Sequence, residues 1–181
     1  MKKNIGKNLA LYPTPLAVVG AMVHHKPNYV LVGHLGIIGH DRVMVSLSKT
    51  HYTNRGILEN RALTINLVDE AMLPKADYVG RVSGNKTDKS DVFAYDTAET
   101  GAPIIRESPL VMECIVDDIY KTEGFESFIC KIAAVHADET VLDENGKISY
   151  LRLKPVLFEM PTYHYLCTGG VLGACGKIAK P

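Results

Sequence analysis

The stretch PLVMECIVDDIYKTEGFESFICKIAAVH, residues 109–136, decides the fold class. Pro109–Lys121 is a long run rich in β-branched residues, and Phe125–His136 is a second. Glu123-Gly124 between them is a hairpin signal, so two antiparallel strands joined by a tight turn are expected. Downstream, Val135–Val141 leads into the turn cluster Asp143-Glu144-Asn145-Gly146. Leu153–Met160 reads as a last strand, with Pro155 placing it at an edge or a strand start. Upstream, apolar runs predict buried strands over Pro15–Val23, Asn28–Leu35, Val43–Leu47 and Ala62–Val68. Gly36–Asp41 reads as a turn, Thr53–Arg61 as a short amphipathic helix, and Asp69–Tyr78 as a helix broken by Pro74. Val79–Asp91 reads as a polar loop whose length calls for a reason. Many strands with a few short helices predict a mainly β, antiparallel barrel or sandwich with helical insertions. The lack of regular strand–helix alternation argues against a doubly wound parallel sheet.

Length and composition agree with one globular domain over residues 1–181. Hydrophobic residues make up 46% and charged residues 22%, which excludes a wholly disordered or fibrous chain. Lys plus Arg and Asp plus Glu are 20 each, so no general attraction to nucleic acid or an acidic membrane is expected. No apolar run approaches the roughly 20 residues that span a bilayer. The N-terminus, MKKNIGKNLALYPTPLAVVGAMVHHKP, mimics a leader, but prolines and a tyrosine interrupt it and HHKP follows it. It reads as a first strand. Cys114, Cys130, Cys167 and Cys175 contain no C-x-x-C pair and read as reduced thiols of a cytoplasmic protein.

Three windows carry candidate chemistry. In Ser46–Arg55, SLSKTHYTNR, every residue except Leu47 carries a side-chain donor. The window follows a strand and opens a helix, so Lys49, His51 and Arg55 with the free N–H groups suit a phosphate monoester. The alternative is a plain loop capped by Thr53 or Asn54. Val79–Asp91 offers Gly80 and Gly84 for close approach, with Ser83, Lys86, Thr87 and Lys89 as donors. It lacks Walker spacing, and a solvated surface loop fits it better. Val32–His40, VGHLGIIGH, either lets a flat ring lie against the backbone or makes a glycine-rich turn. The seven histidines show no H-x-x-x-H spacing, so no zinc site is expected. His24-His25 reads as an exposed turn, and Tyr163-His164-Tyr165 as a pocket wall or the edge of the core. No nucleophile elbow occurs and no cysteine has a recognisable activating partner, so no catalytic side-chain constellation is expected.

Together the windows resemble the flavin reductase-like family, in particular its flavoredoxin-type branch. The string Pro15-Leu16-Ala17-Val18-Val19 is similar to its first strand, and Leu63-Thr64-Ile65-Asn66-Leu67 to its "F-x-I-N-L" strand. Ala76-Asp77-Tyr78-Val79-Gly80, then Ser83-Gly84 and Asp88-Lys89, resembles its most specific signature, "A-D-x-x-G … S-G … D-K". Glu107-Ser108-Pro109-Leu110 and Glu113-Cys114 resemble its "E-S-P … L-E-C" strand. The match covers a core of about residues 12–165 and leaves a tail, 166–181. The resemblance implies an FMN-binding split β-barrel, antiparallel and Greek-key-like, usually a cytoplasmic homodimer. It places His34, Leu35 and Gly36 against the flavin ring. Ser46, Leu47, Ser48, Lys49, His51, Tyr52 and Thr53 fall in its phosphate and ribityl segment. Asn66 would reach the flavin, and Ser83, Gly84 and Lys89 would close the site. The chain departs from the pattern at His34-Leu35-Gly36 (often W-T-G), at Ser48 (often Arg) and at Ser90 (often Phe). The implied activity is an NAD(P)H:flavin oxidoreductase delivering electrons to a small-molecule or protein acceptor. The alternatives are an electron-transfer flavoprotein that uses no nicotinamide and a non-catalytic flavin-binding module. The flavin would carry the chemistry, with no catalytic side chain and no metal.

Overall fold

A computed structural model describes residues 1–178; the expected tail runs on to residues 179–181, which lie outside the described residues. The chain opens with β1 (Thr14–Pro15), β2 (Ala17–Val23) and β3 (Lys26–Val32). It continues with β4 (Leu35–Ile37), β5 (Arg42–Ser48), α1 (Thr53–Asn60), β6 (Ala62–Leu67) and α2 (Leu73–Arg81). Then come β7 (Tyr95–Thr97), β8 (Pro103–Ile105) and the long pair β9 (Leu110–Lys121) and β10 (Phe125–Ala137). A 3₁₀ turn (Glu139–Val141), α3 (Tyr150–Leu153), β11 (Leu157–Glu159) and β12 (His164–Leu166) complete it.

All strand pairings are antiparallel. The main sheet has the order β3-β2-β6-β9-β10-β5-β4, with small sheets β1-β11-β12 and β7-β8 beside it. Its two edge strands, β3 and β4, are consecutive in the chain and joined by Gly33-His34 alone. The sheet therefore curls back on itself as a split barrel rather than lying open. The side chains sort by period two. Ala17, Val19 and Ala21 of β2 join Val45, Leu47, Leu63, Ile65 and Phe128 in the core inside the curl. Leu16, Val18 and Tyr29 join Ala76 and Val79 of α2 and Phe93 in a second core outside it.

The hairpin over 109–136 forms as expected, closing where Thr122 N–H donates to Phe125 O. The β2–β3 turn is also as expected: His24 and His25 both take φ > 0 (49° and 63°), the conformation of a two-residue hairpin turn. Four readings change. Leu35–Ile37 is a short edge strand paired with Val43–Val45, so the turn expected at Gly36–Asp41 begins only at Ile38. Pro74 does not break α2; it sits in the first turn, where its missing N–H has no helical partner to lose. That helix runs on to Arg81, into the segment expected to be a loop. The strand expected over Leu153–Met160 shrinks to β11, because α3 ends at Leu153 and Pro155 follows it. Helix α1 presses on β2 through Gly56, where a Cβ would lie 2.1 Å from Met22 O. Only glycine fits there.

Candidate functional site

Strand β5 positions the site. Its odd residues, Val43, Val45 and Leu47, point into the core, and Met44, Ser46 and Ser48 occupy the opposite face. Leu47 therefore contributes backbone alone to this face, since its side chain is 1% exposed. His34, Leu35, Met44, Ser46, Phe125 and Ser127 come together around an open cleft of about 380 Å³. Gly36 faces Met44, and a Cβ built there would meet its Cε at an ordinary 3.5 Å. The His34 ring lies against Phe125, centroids 5.8 Å apart, and its Nε2 shares a hydrogen bond with the Tyr12 hydroxyl at 3.1 Å. Ser127 Oγ donates to Ser46 Oγ at 3.0 Å. Apolar walls with a few fixed polar groups suit a flat aromatic ring.

The loop after β5 carries donors that the fold does not use. Ser48 Oγ and Thr50 Oγ1 lie at the surface 2.9 Å apart, bonded to each other. His51 Nδ1 is buried and has no partner. Burial, and then the charge of Lys89, lower the His51 pKa, so the ring is neutral at pH 7. Asn85 Nδ2 donates to Thr50 O at 3.2 Å and brings the 83–89 segment onto this loop. Gly84 fits against Asn28 and Tyr52, where a Cβ would come within 2.8 and 2.9 Å of them. Ser83 Oγ accepts from Asn85 N–H, shaping the turn. A second cleft, about 330 Å³, opens beside Asn28, Tyr52, Gly84, Lys86 and Thr87.

Other expected site residues hold this loop in place. Lys49 straps it to the β9–β10 turn, with its N–H on Gly124 O and its ammonium on Glu123 O, both at 3.0 Å. Thr53 Oγ1 donates to Asn28 Oδ1 at 2.9 Å. Asn54 Nδ2 donates to Ser48 O and Glu126 Oε2. Neither caps α1, whose N-cap is Tyr52 with no side-chain bond, so the capped-loop reading does not describe this turn. Lys89 is 2% exposed and donates to Val79 O and Val82 O at the end of α2. Burial pulls its pKa down to about 8.

Asn66 lines neither cleft. It is fully buried, donates to Val18 O and Thr64 Oγ1, and accepts from Ile105 N–H. Thr64 donates to Pro103 O, and Glu113 accepts from Thr100 N–H and pairs with His136 at 3.1 Å. Together these bonds pin the β7–β8 arm to the sheet. Asp77 accepts from the Tyr165 hydroxyl at 2.7 Å, which ties β12 to α2. The Tyr165 pKa is pushed up to about 12, by burial first and then by this carboxylate. Among the described residues no cluster of three His, Cys, Asp or Glu is placed to hold a metal, and no helix is long and apolar enough to cross a membrane.

Sequence reasoning missed Tyr12, Phe125 and Ser127. The last two reach the cleft through the pairing Phe125↔Ser48 and Ser127↔Ser46, a contact across more than seventy residues that no local pattern announces.

The flavin reductase like domain model matches residues 9–165. The chain is similar to the flavoredoxin of Methanosarcina acetivorans, with 32% identity, 98% of this chain and 97% of that one covered, and TM-score 0.93. It is equally similar to the flavoredoxin of Desulfovibrio vulgaris (Miyazaki F), with 31% identity, 99% and 100% covered, and TM-score 0.92. The fold alone is shared with an FMN-binding protein from Thermus thermophilus with bound 1-cyclohex-2-enone, at 21% identity, 96% and 99% covered, TM-score 0.80. No curated protein matches significantly. Sequence signature, split barrel and family match converge: the chain belongs to the flavin reductase like domain family.

Proposed function

We propose that this chain is an FMN-binding oxidoreductase working as an NAD(P)H:flavin reductase. The observation that carries the reading is the continuity of two complementary half-sites along β5. An apolar cleft at His34, Leu35 and Met44 leads through Ser46 to the unused donors of Ser48, Thr50 and His51. The residues fit the cofactor on one count: the buried Nδ1 of His51 has no protein partner. FMN, when bound, supplies hydride and single-electron transfer. Leu35, Met44 and Phe125 exclude water from the ring's faces. His34 is oriented by Tyr12, and Ser46 by Ser127. Ser48, Thr50 and His51 would hold the FMN phosphate. Arginine would give a bidentate grip at position 48; serine gives one hydroxyl.

A second reading has its own support. Both flavoredoxins lie above 30% identity over nearly the whole chain. It makes this protein an electron carrier between proteins, without nicotinamide. Both readings include a homodimer, for which the edge strand β4 offers Ile37, 87% exposed, beside the cleft. The four unpaired thiols suit a cytoplasmic setting.

The test is a visible spectrum after adding FMN and desalting, repeated anaerobically with NADH and with NADPH. A retained flavin band bleached by either nucleotide supports the reductase. Retention without bleaching supports the carrier. No retention and no binding in a flavin titration would overturn both.

A further inference from the structure

The four cysteines fall into two chemically distinct pairs. Cys114 and Cys130 are buried in the barrel core, and burial raises both thiol pKa values, that of Cys130 to about 12. They are inert in the folded protein. Cys167 and Cys175 are exposed, and the flavin site uses neither. They bracket the segment Thr168-Gly169-Gly170-Val171-Leu172-Gly173-Ala174 immediately after β12.

The segment is open at its start and packed only near its end, where a Cβ on Gly173 would lie 2.9 Å from the Ile178 side chain. Among residues 167–178 the one backbone hydrogen bond recorded outside regular elements is Lys177 N–H to Ala174 O. Nothing lies within 4 Å of a Cβ built on Gly169 or Gly170. A flexible chain of eight links has a root-mean-square span of roughly 14–17 Å, and a disulfide needs Cα atoms about 5.5–6 Å apart. The bonding geometry thus lies within the ordinary fluctuations of the segment. Each thiol meets the other at an effective concentration on the order of millimolar.

We infer that Cys167 and Cys175 are a thiol–disulfide exchange pair, which small-molecule disulfides oxidise to a ring in the C-terminal tail. One cysteine thiolate attacks a sulfur of the small disulfide and expels one thiolate. The second cysteine thiolate then attacks the protein sulfur of that mixed disulfide and expels the other. Two protein thiols are oxidised, the small disulfide is reduced to two thiols, and the two protons follow the departing thiolates. Closure turns an open tail carrying exposed Val171 and Leu172 into a loop of fixed shape, tethered to β12 through Cys167. A dithiol reverses it.

The test uses the full chain, folded, incubated with oxidised glutathione, alkylated and digested with trypsin. No Lys or Arg separates the two thiols, and Lys154 precedes a proline, so the peptide Leu153–Lys177 carries both. The expected product is this peptide unalkylated and lighter by two hydrogens. Cys167→Ser and Cys175→Ser should each stop at a mixed disulfide with one glutathione. Three results would overturn the inference: both thiols still reduced, both glutathionylated in the wild type, or a disulfide joining two copies of the chain.

Discussion

Two polar clusters of similar composition lie on this barrel, and they differ in one respect. Around Asn66, the side chains of Thr64, Asn66 and Glu113 meet the carbonyls and N–H groups of Val18, Thr100, Pro103 and Ile105. Their hydrogen-bonding capacity is consumed inside the protein. Around Ser48, two hydroxyls bond to each other, Ser48 Oγ also accepts from Thr50 N–H, and an imidazole nitrogen has no partner. The first cluster fastens an arm to a sheet. The second is the one we propose as the phosphate site. What separates them is not residue type but how many polar groups lie open at the surface: Thr100 Oγ1 beside the first cluster is unpartnered too, but buried, whereas the Ser48 and Thr50 hydroxyls face solvent.

The sharpest way to break this comparison is Asn66→Ala. It strands a buried N–H and a buried carbonyl, so stability should fall by about 2–3 kcal/mol in denaturant titration. FMN affinity per folded molecule should not change. Intact stability with flavin affinity lost would move Asn66 into the site. The converse change, Ser48→Ala with Thr50→Ala, should weaken FMN binding about 10- to 100-fold, as expected for hydrogen bonds to a charged group. Fluorescence titration measures it, and stability should stay within about 0.5 kcal/mol.

Lys89 sharpens the contrast through pH. Its folded pKa of about 8 lies below the ordinary 10.5, so between those values the unfolded chain binds more protons. Stability should therefore rise with pH there, by up to about 1.4 kcal/mol per unit. Lys89→Met should flatten that slope in denaturation curves from pH 7 to about 9.5, short of tyrosine ionisation. An unchanged slope would mean that the buried ammonium is not the source. The smallest effect belongs to Lys26→Ala. Lys26 pairs with Asp88 at the rim of the second cleft, with both partners more than half exposed. A loss above about 0.5 kcal/mol would show that this rim is more than a solvated ion pair.

The same contrast explains what the sequence revealed. The 109–136 hairpin was legible because its turn and its β-branched runs are contiguous. Strands β7, β8 and β12, three residues each, have no periodicity to read. The donor window was legible because its donors are neighbours in the chain. Asn66, expected to reach the flavin, bonds wholly to protein, and a polar residue in a strand looks the same in sequence whether its partners are protein or ligand. Lys49 and Thr53 fall in the donor loop, yet Glu123 and Asn28, distant in sequence, occupy their polar ends.

Strand β5 acts as a ruler with marks on both edges. Val43, Val45 and Leu47 lock its core edge, and Met44, Ser46 and Ser48 mark the other at steps of about 7 Å. Inserting or deleting one residue would send three aliphatic side chains onto the outer face and Met44, Ser46 and Ser48 into the core. Divergence at this site therefore has one route open to it. A variant can exchange the residue at a mark, as arginine for serine at position 48, but it cannot alter the number of marks.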